Sequence, residues 1–226
     1  PYIPLGGAVN ALQFSRDGRR LLAASADGAA RVWDPVTGRG LAPAMVHEAG
    51  VNWAEFSSDG RRVVTASADR TARVWDAGTG LPLTPPIRHA QNVRYACFSP
   101  DGRHLAFSSN RHGSYDVFVV PVHGGRPKRL TFDSASAVVT GWTPDGKNVV
   151  FSSNRTTGFP GGLEAYTVPV DGGPERKLPL FEAKEAADAP DGKAVAFVRG
   201  PGIWYRRGYR GSSNDVAVIW PAGRSP

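Results

Sequence analysis

The side chains that could do chemistry in this 226-residue chain are few and widely spaced. Its single cysteine, Cys97, excludes an internal disulfide and a cysteine-based zinc site, and without an adjacent histidine it is typical of a small buried hydrophobe. The five histidines, at positions 47, 89, 104, 112 and 123, form no H-x3-H pair of the kind that binds metals. No Gly-x-Ser-x-Gly elbow or phosphate-binding Gly-Lys-Ser/Thr loop occurs. We therefore expect no metal, no cofactor and no enzymatic activity.

One carboxylate remains as a candidate for acid–base chemistry. Glu55 is the acidic residue in the middle of a well-formed predicted inner strand, and the equivalent positions of the other repeats described below are Gln13, Cys97, Gly141 and Ala187. Glycoside hydrolysis needs two carboxylates about 5–10 Å apart. A single carboxylate cannot carry that mechanism, so the sequence disfavours a glycosidase.

A predicted loop at about 200–214 interleaves aromatic side chains with arginines, a combination that can stack on bases or bind acidic peptides. The candidate residues of this loop are Trp204, Tyr205, Arg206, Arg207, Tyr209 and Arg210. Arg70, Arg111 and Arg155 occupy the corresponding loops of other repeats and would extend the same basic rim. The simpler interpretation, which we favour, is that the aromatics pack on a neighbouring sheet and the arginines are solvated.

One turn recurs five times and sets the period of the chain. Its Asp-Gly pair has the aspartate at positions 17, 59, 101, 145 and 191, so the repeat is 42–46 residues long. Gly accepts a positive φ and Asp caps the turn, so each copy predicts a β-hairpin between two β-rich segments. A third strand and a weaker, proline-containing outer strand complete each repeat, as in a four-stranded propeller blade.

These repeats predict an all-β fold, a five-bladed β-propeller with four antiparallel strands per blade. Only four outer strands follow the pattern, and Pro1–Leu5 stands where the missing one would be. We expect Tyr2, Ile3 and Leu5 to complete the last blade and close the ring, because an open array leaves unpaired edges. The blades of this single domain are predicted at about 6–48, 49–90, 91–132, 133–180, and 181–226 with 1–5. One segment departs from the pattern: residues 182–188 have helical propensity, and Asp188 stands where other blades have Phe or Trp.

The first two repeats resemble WD40 repeats. Both contain Ser-x-Asp-x5-Trp-Asp, as Ser25, Asp27 and Trp33 in one copy and as Ser67, Asp69 and Trp75 in the other. In the WD40 family a histidine, a Ser or Thr, the turn Asp and the Trp form a structural hydrogen-bonded set. The resemblance implies such a set from His47, Ser67 (or Thr65), Asp69 and Trp75, and a similar structural role for His89. In the first repeat Gly6-Gly7 lies where the histidine should be, so the resemblance implies only Ser25, Asp27 and Trp33 there.

The last three repeats are similar to TolB- and tricorn-type propeller repeats. They share Phe98-Ser99-Pro100-Asp101-Gly102 with Trp142-Thr143-Pro144-Asp145-Gly146, and the runs ending in Gly124-Gly125 and Gly172-Gly173. Arg206–Gly211 before a strand resembles the propeller of tricorn-like peptidases. The family switch is predicted near residues 90–100.

A mixture of two repeat families suggests three functions and one origin. The leading hypothesis is a non-catalytic scaffold, an engineered hybrid of two natural propeller fragments with latent protein-binding capacity. The alternatives are the substrate-gating propeller of a tricorn-like peptidase and an anion- or nucleic-acid-binding module that uses the loop at 200–214. Full-length context separates the first two of these functions.

Charge and hydropathy limit the classes of partner. The net charge of +7 and a pI near 9.9 favour anionic partners, but no run of five basic residues marks a nucleic-acid tail. An acidic peptide or another protein is therefore a better candidate partner than nucleic acid, and none is expected to be obligatory. No apolar run is long enough for a membrane span and no secretory leader is evident, so we expect a cytoplasmic monomer.

Overall fold

The structure is a computed structural model that describes residues 6–110, 113–155 and 163–178 in full. Farther along it describes the backbone of three strands, at 183–188, 194–199 and 216–221. Every regular element in these residues is a β-strand, and none of them forms a helix able to cross a bilayer.

Consecutive strands pair into five antiparallel sheets in the described residues. The first three sheets comprise β1 (Val9–Phe14), β2 (Leu21–Ser25), β3 (Ala29–Trp33) and β4 (Met45–Val46); β5 (Val51–Phe56), β6 (Arg62–Ser67), β7 (Thr71–Asp76) and β8 (Ile87–Arg88); and β9 (Ala96–Phe98), β10 (His104–Ser109), β11 (Asp116–Pro121) and β12 (Lys128–Arg129). The last two comprise β13 (Ala137–Trp142), β14 (Asn148–Ser153), β15 (Glu164–Pro169) and β16 (Arg176–Lys177); and β17 (Ala183–Asp188), β18 (Ala194–Arg199) and β19 (Val216–Pro221). The predicted antiparallel four-stranded sheets are thus confirmed for four of the five.

The recurrent Asp-Gly turn is held by a repeated set of hydrogen bonds. In its first copy the Ser15 hydroxyl donates to Asp17 Oδ1 over 2.6 Å, and the backbone N–H of Arg19 donates to the same oxygen over 3.1 Å. Gly18 has a φ of +71°, which favours glycine at that position. The Ser15 hydrogen bond lowers the pKa of Asp17, so the carboxylate stays ionised as an acceptor. The turns at 57–62, 99–104 and 143–148 repeat this arrangement.

A bulge in the inner strand of the first two sheets turns one side chain out of the ladder. The register of β1 on β2 shifts between Val9 and Ala11, and that of β5 on β6 shifts between Val51 and Trp53. A bulge leaves its extra residue unpaired and bends the strand. The extra residue is an asparagine in both strands, Asn10 and Asn52.

The chain divides into two compact units, Pro1–Gly113 with Phe118–Lys128 and Ser114–Val117 with Arg129–Pro226. In the first unit one core lies around Leu22, Val32 and Met45, and another around Phe107 and Phe118. The second unit buries Phe151 against Tyr166, with ring centroids 5.5 Å apart. Most of the buried hydrophobic residues in the described part of the chain are alanine or valine.

The predicted ring closure lies outside the described residues, since it depends on Tyr2, Ile3 and Leu5. It stays a prediction, as do the number of blades in a ring and the blade boundaries. The segment with helical propensity contains a strand and no described helix, because β17 (Ala183–Asp188) pairs with β18 in an antiparallel arrangement. Its register sets Asp188 opposite Val195, as Phe56 is opposite Val63.

Candidate functional site

A series of buried hydrogen bonds links β6 and β7 of the second sheet to His47, which lies between β4 and β5. Trp75 Nε1 donates to Thr65 Oγ1 over 2.8 Å, and Thr65 Oγ1 lies 2.7 Å from His47 Nε2. His47 Nδ1 lies 2.8 Å from Asp69 Oδ2. A single tautomer satisfies all three contacts, with the Thr65 hydroxyl donating to Nε2 and the Nδ1 proton donated to Asp69.

The charge states of His47 and Asp69 are determined by burial and hydrogen bonding. Burial lowers the pKa of His47 and favours the neutral imidazole, although the Asp69 carboxylate opposes that shift. Burial also works against ionisation of Asp69, but hydrogen bonds from Thr71 and His47 outweigh it and lower its pKa to about 2. The carboxylate therefore stays ionised and orients the imidazole at neutral pH.

A hydroxyl, an imidazole and a carboxylate in this order are the groups of a hydrolytic triad. Thr65 is fully buried and its oxygen is already occupied by the Trp75 indole, so no substrate carbonyl can reach it. His47 and its contacts are buried as well. The arrangement can hold strands together and satisfy buried polar groups, but it cannot perform acyl transfer.

Ser67 lies beside this chain of hydrogen bonds and outside it. Its hydroxyl is 3.0 Å from the carbonyl oxygens of both Ala49 and Gly50, and it accepts a hydrogen bond from the backbone N–H of Asp69. Of the two residues left open by the sequence, Thr65 is the one that joins Trp75 to His47.

The equivalent residues of the first sheet do not form the same chain. Ala23 occupies the register position of Thr65, so Trp33 Nε1 has no hydrogen-bond partner among the described residues. Ser25 accepts from the backbone of Asp27, and Asp27 forms an ion pair with Arg31 at 2.8 Å. Ser25 and Asp27 are thus hydrogen-bonded to each other, but neither is joined to Trp33.

The surroundings of His89 also differ from those of His47. Its ring packs on Phe107, with centroids 4.4 Å apart, and Phe107 occupies the register position of Thr65. An aromatic ring offers no hydroxyl to continue the chain. Phe107 thus provides no counterpart of the Thr65 hydroxyl beside His89, and the backbone N–H of His89 donates to the Arg70 carbonyl. A structural role for His89 like that of His47 stays a prediction.

Of the predicted basic rim, Arg70 and Arg155 can be located. Arg70 is exposed and has a φ of +69°, in a turn where the first sheet has Gly28. Arg155 is largely buried: it forms an ion pair with Glu175, and its guanidinium lies about 5 Å from the ring centroids of Phe151 and Tyr166. These contacts hold Arg155 within the fourth sheet, and its contribution to an interaction face stays a prediction. Arg111 and the residues at 200–214 lie outside the described residues.

Sequence reasoning missed two acid–base pairs between third and outer strands. Asp116, at the start of β11, is fully buried and forms an ion pair with Arg129 at 2.8 Å, and it also accepts from Thr131. Glu164, at the start of β15, forms the equivalent pair with Lys177 at 2.6 Å. The available signal was an acidic residue opening the third strand together with a basic residue on the next outer strand.

Glu55 and Cys97, the two inner-strand candidates, have no catalytic surroundings in the described residues. Although the residue as a whole is partly exposed, the carboxyl group of Glu55 is buried and accepts a hydrogen bond from the backbone N–H of Phe98. Burial raises the pKa of Glu55 to about 8. Cys97 is buried in β9, and no group of three or more metal-ligating side chains was found in the described part of the chain.

Comparison with known proteins separates the two halves of the chain. Residues 5–34 and 45–76 match the model of the WD domain, G-beta repeat, and residues 87–224 match that of the tricorn protease N-terminal beta propeller domain. The two matches meet between residues 76 and 87, slightly ahead of the switch predicted near 90–100.

Among curated proteins, the chain is 35% identical over 118 residues to tricorn protease homolog 1 of Streptomyces coelicolor. The match covers 51% of this chain and spans 11% of that much longer protein.

Among solved structures, the fold is similar to that of the putative TolB from Agrobacterium tumefaciens, with a TM-score of 0.70 and 21% identity, covering 86% of this chain and 70% of that one. It is also similar to the β-propeller domain of Cps50 (Swd1) from Myceliophteria thermophila, with a TM-score of 0.69 and 15% identity, covering 88% and 64%. These likenesses show a β-propeller fold. Since the tricorn model covers well over half of the residues, the chain belongs to the family of tricorn protease N-terminal β-propeller domains.

Proposed function

We propose that this chain is a non-catalytic propeller domain that controls the access of polypeptide substrates to a peptidase. The observation that carries the proposal is the family match over residues 87–224, together with the 35% identity to a protein named as a tricorn protease homolog. The match spans 11% of that relative, so the catalytic groups are expected elsewhere in the protein to which this domain corresponds.

The described side chains support a domain without chemistry of its own. The side chains of Thr65, His47 and Asp69 are buried, and His47 is hydrogen-bonded to both of the others. The strongest charges of the later sheets are paired within the sheets, as in Asp116 with Arg129. A propeller of this kind can hold, exclude or admit a polypeptide, and it leaves bond cleavage to another domain.

The test compares the full-length gene product with the same product lacking residues 87–224. We expect both to hydrolyse short fluorogenic peptides, and we expect the deletion to increase cleavage of a folded protein relative to a short peptide. The isolated 226-residue chain should hydrolyse neither substrate. Absence of peptidase activity from the full-length product, or an unchanged ratio between the two substrates, would overturn the proposal.

A second candidate is a protein-binding scaffold of the WD40 type. It is favoured by the WD-repeat matches and by Arg70, which is exposed although its left-handed turn favours glycine. Binding of an acidic peptide that is lost in Arg70→Glu and kept in Arg61→Glu would support this candidate.

Two further hypotheses concern the loop at 200–214, which lies outside the described residues, and the origin of the sequence. An anion-binding role for the loop at 200–214 predicts salt-dependent heparin binding that is lost when Arg206, Arg207 and Arg210 are replaced. An engineered origin as a hybrid of two propeller fragments would be overturned if the whole sequence occurred as one natural reading frame.

A further inference from the structure

Six Asp-Gly pairs lie in the described residues, with the aspartates at positions 17, 27, 59, 101, 145 and 171. Asp-Gly is the dipeptide most prone to a spontaneous rearrangement of the backbone, in which the glycine nitrogen attacks the carboxyl carbon of the aspartate side chain. Glycine favours this attack because it has no Cβ to hinder the approach. The six pairs differ in what holds the carboxyl group, and that difference decides which of them can react.

The rearrangement leaves the composition of the chain unchanged. A bond forms between the glycine nitrogen and the aspartate Cγ, a Cγ–O bond breaks, and the oxygen leaves as water with the carboxyl proton and the amide proton. Water then adds to the main-chain carbonyl carbon of the aspartate and breaks its bond to the glycine nitrogen. The product is isoaspartate, in which the chain runs through the side chain. The carboxyl group must be protonated and able to rotate, because an ionised carboxylate is a poor electrophile and has no hydroxyl to lose.

Four of the six aspartates are held by the hydroxyl of the residue two positions earlier. In the second sheet Ser57 Oγ donates to Asp59 Oδ1 over 2.6 Å, and the N–H of Arg61 donates to the same atom over 3.0 Å. The same two bonds are made at Asp17, Asp101 and Asp145. The Ser57 bond lowers the pKa of Asp59, so these contacts keep the carboxylate ionised and restrict its rotation.

Asp27, in the turn between β2 and β3, is held by other groups. The N–H of Ala29 donates to Asp27 Oδ1 over 3.0 Å, and the Arg31 guanidinium forms an ion pair with Oδ2 at 2.8 Å. Both oxygens of this carboxylate therefore have a partner.

Asp171 lies in a turn with the same backbone hydrogen bond but without these restraints. The N–H of Gly172 donates to the Pro169 carbonyl over 2.9 Å and Gly172 has a φ of +84°, as in the four Ser/Thr turns. Pro169 stands where those turns have serine or threonine, so it offers no hydroxyl. Within the described residues the Asp171 carboxylate has neither a hydrogen bond nor an ion pair. Asp171 and Asp59 are both exposed, so restraint and not access distinguishes them.

We propose that Asp171 is a site of isoaspartate formation, and that the modified turn between β15 and β16 is a substrate for an S-adenosylmethionine-dependent isoaspartyl carboxyl methyltransferase. Enzymes of that class transfer a methyl group from the sulfonium to the carboxylate that the rearrangement releases. The methyl ester closes to the imide with loss of methanol, and hydrolysis returns part of the chain to aspartate. This modification site does not depend on the proposed control of peptidase access.

Ageing of the purified chain at neutral pH tests the proposal. Trypsin separates four aspartates of matched turns into the peptides 40–61 (Asp59), 95–103 (Asp101), 130–147 (Asp145) and 156–176 (Asp171). Electron-transfer fragmentation distinguishes isoaspartate from aspartate in each peptide. We expect isoaspartate to accumulate at Asp171 about tenfold or more faster than at the other three, because hydrogen bonds to a charged group must be broken there. Similar rates at the four sites, or a faster rate at any of the other three, would overturn the proposal.

Ageing of the same chain in concentrated urea separates the effect of the folded turn from that of the sequence. All four sites are Asp-Gly, so unfolding should make their rates similar. A preference for Asp171 that persists in the unfolded chain would overturn the proposal, since the missing restraint would then not be its cause.

Two substitutions exchange the restraint between turns. Ser57→Ala removes the hydroxyl beside Asp59 and should speed isoaspartate formation there by about tenfold, with the exposed neighbour Ser58→Ala as control. Pro169→Ser supplies a hydroxyl at the first position of the other turn and should slow the reaction of Asp171, with Pro169→Ala as control. Pro169→Ser decides the matter if Ser57→Ala does not fold. Equal rates in Pro169→Ser and Pro169→Ala would overturn the proposal.

Enzymatic methylation provides the second readout. The aged chain is incubated with a purified isoaspartyl methyltransferase and methyl-labelled S-adenosylmethionine, and we expect label in peptide 156–176. Asp171→Glu is the control and should remove that label, because a glutamate would have to close a larger and less favourable ring. Absence of label from peptide 156–176 of the parent chain, or equal label in Asp171→Glu, would overturn the proposal.

Discussion

Trp75 and Trp33 occupy the same position in two sheets, yet only the Trp75 indole N–H has a hydrogen-bond partner among the described residues. Replacing Trp75 by Phe removes that bond and leaves the Thr65 and His47 contacts incomplete, so we expect a loss of about 1–3 kcal/mol in the free energy of unfolding. Trp33→Phe removes no such bond and should cost less. Denaturant unfolding of both variants measures the difference, and equal losses would contradict a contribution from the chain of hydrogen bonds.

Glu55 gives a pH dependence with a definite sign. Its pKa rises from an ordinary 4.5 to about 8 in the folded protein, chiefly through burial. Between these values the folded state keeps a proton that the unfolded chain releases, so the free energy of unfolding should fall as pH rises from about 4.5 to about 8.

Glu55→Gln should remove this decline because a glutamine side chain does not titrate. The replacement should keep the hydrogen bond to Phe98, since Gln13 makes the equivalent bond to Phe56. Glu48→Gln, at an exposed position of the same region, is the control and should retain it. Urea unfolding at several pH values tests this. The same pH slope in the parent and in Glu55→Gln would refute the assignment.

For single residues, the sequence predicts which residue types form the hydrogen-bonded set, but not always which residue or which repeat supplies them. His47, Asp69 and Trp75 could be named from the WD40 resemblance. Thr65 and Ser67 could not be separated, because residues two apart on a strand point to the same face. Ala23 shows the complementary limit, since it leaves no hydroxyl at the position of Thr65 although Ser25, Asp27 and Trp33 keep the WD40 spacing.

The third and outer strands of the later sheets are held by buried charge. Arg129→Met would leave Asp116 buried without its ionic partner, so we expect a loss of about 3–5 kcal/mol in unfolding free energy. Lys177→Met should cost only about 1 kcal/mol, because Lys177 is half exposed and Glu164 keeps a hydrogen bond from Tyr166.

Thermal or denaturant unfolding of the two variants provides the comparison. Adding Asp116→Asn to Arg129→Met should recover part of the loss, since the uncompensated charge is then absent. Equal effects of Arg129→Met and Lys177→Met would rule out a special role for the buried pair.

Strand β17 shows why elements are predicted less securely than turns. Its sequence, Ala-Lys-Glu-Ala-Ala-Asp, has helical propensity, and yet it pairs along its length with β18. Pairing with a neighbouring strand outweighs an intrinsic preference of a few tenths of a kcal/mol per residue. The Asp-Gly turns, in contrast, are specified by local hydrogen bonds and were predictable at every described copy.

For the molecule as a whole, the family follows from the repeats, while the contacts between repeats had to be found in the structure. The pattern Asn-x2-Gln/Glu-Phe-Ser-x-Asp-Gly-Arg-Arg is visible in the sequence at 10–20 and 52–62. Its role as a junction between sheets appears only when Arg20 and Arg62 are seen over the Phe56 and Phe98 rings of the following sheets. The alternation of apolar and polar residues along a strand does not show which side chains contact the next sheet. The repeat length therefore predicts the sheets better than it predicts the contacts between them.

The contact of Arg62 with the following sheet predicts a contribution to the stability of the first unit. Arg62→Ala removes the cation over Phe98 and the packing on Gly102, so we expect a loss of about 1–2 kcal/mol in unfolding free energy. Arg61→Ala, one residue earlier and exposed, is the matched control and should change it little. Equilibrium unfolding followed by tryptophan fluorescence tests both, and equal losses would contradict a role for the junction.

The pattern at 10–20 and 52–62 also has a consequence for how such a gene can grow. One continuous stretch of the gene encodes both a sheet and the side chains that contact the following sheet. Tandem duplication of that stretch therefore copies the sheet together with its contacts to the next one. Unequal crossing-over between copies can then change repeat number in a single event, with no second mutation needed to restore the contacts.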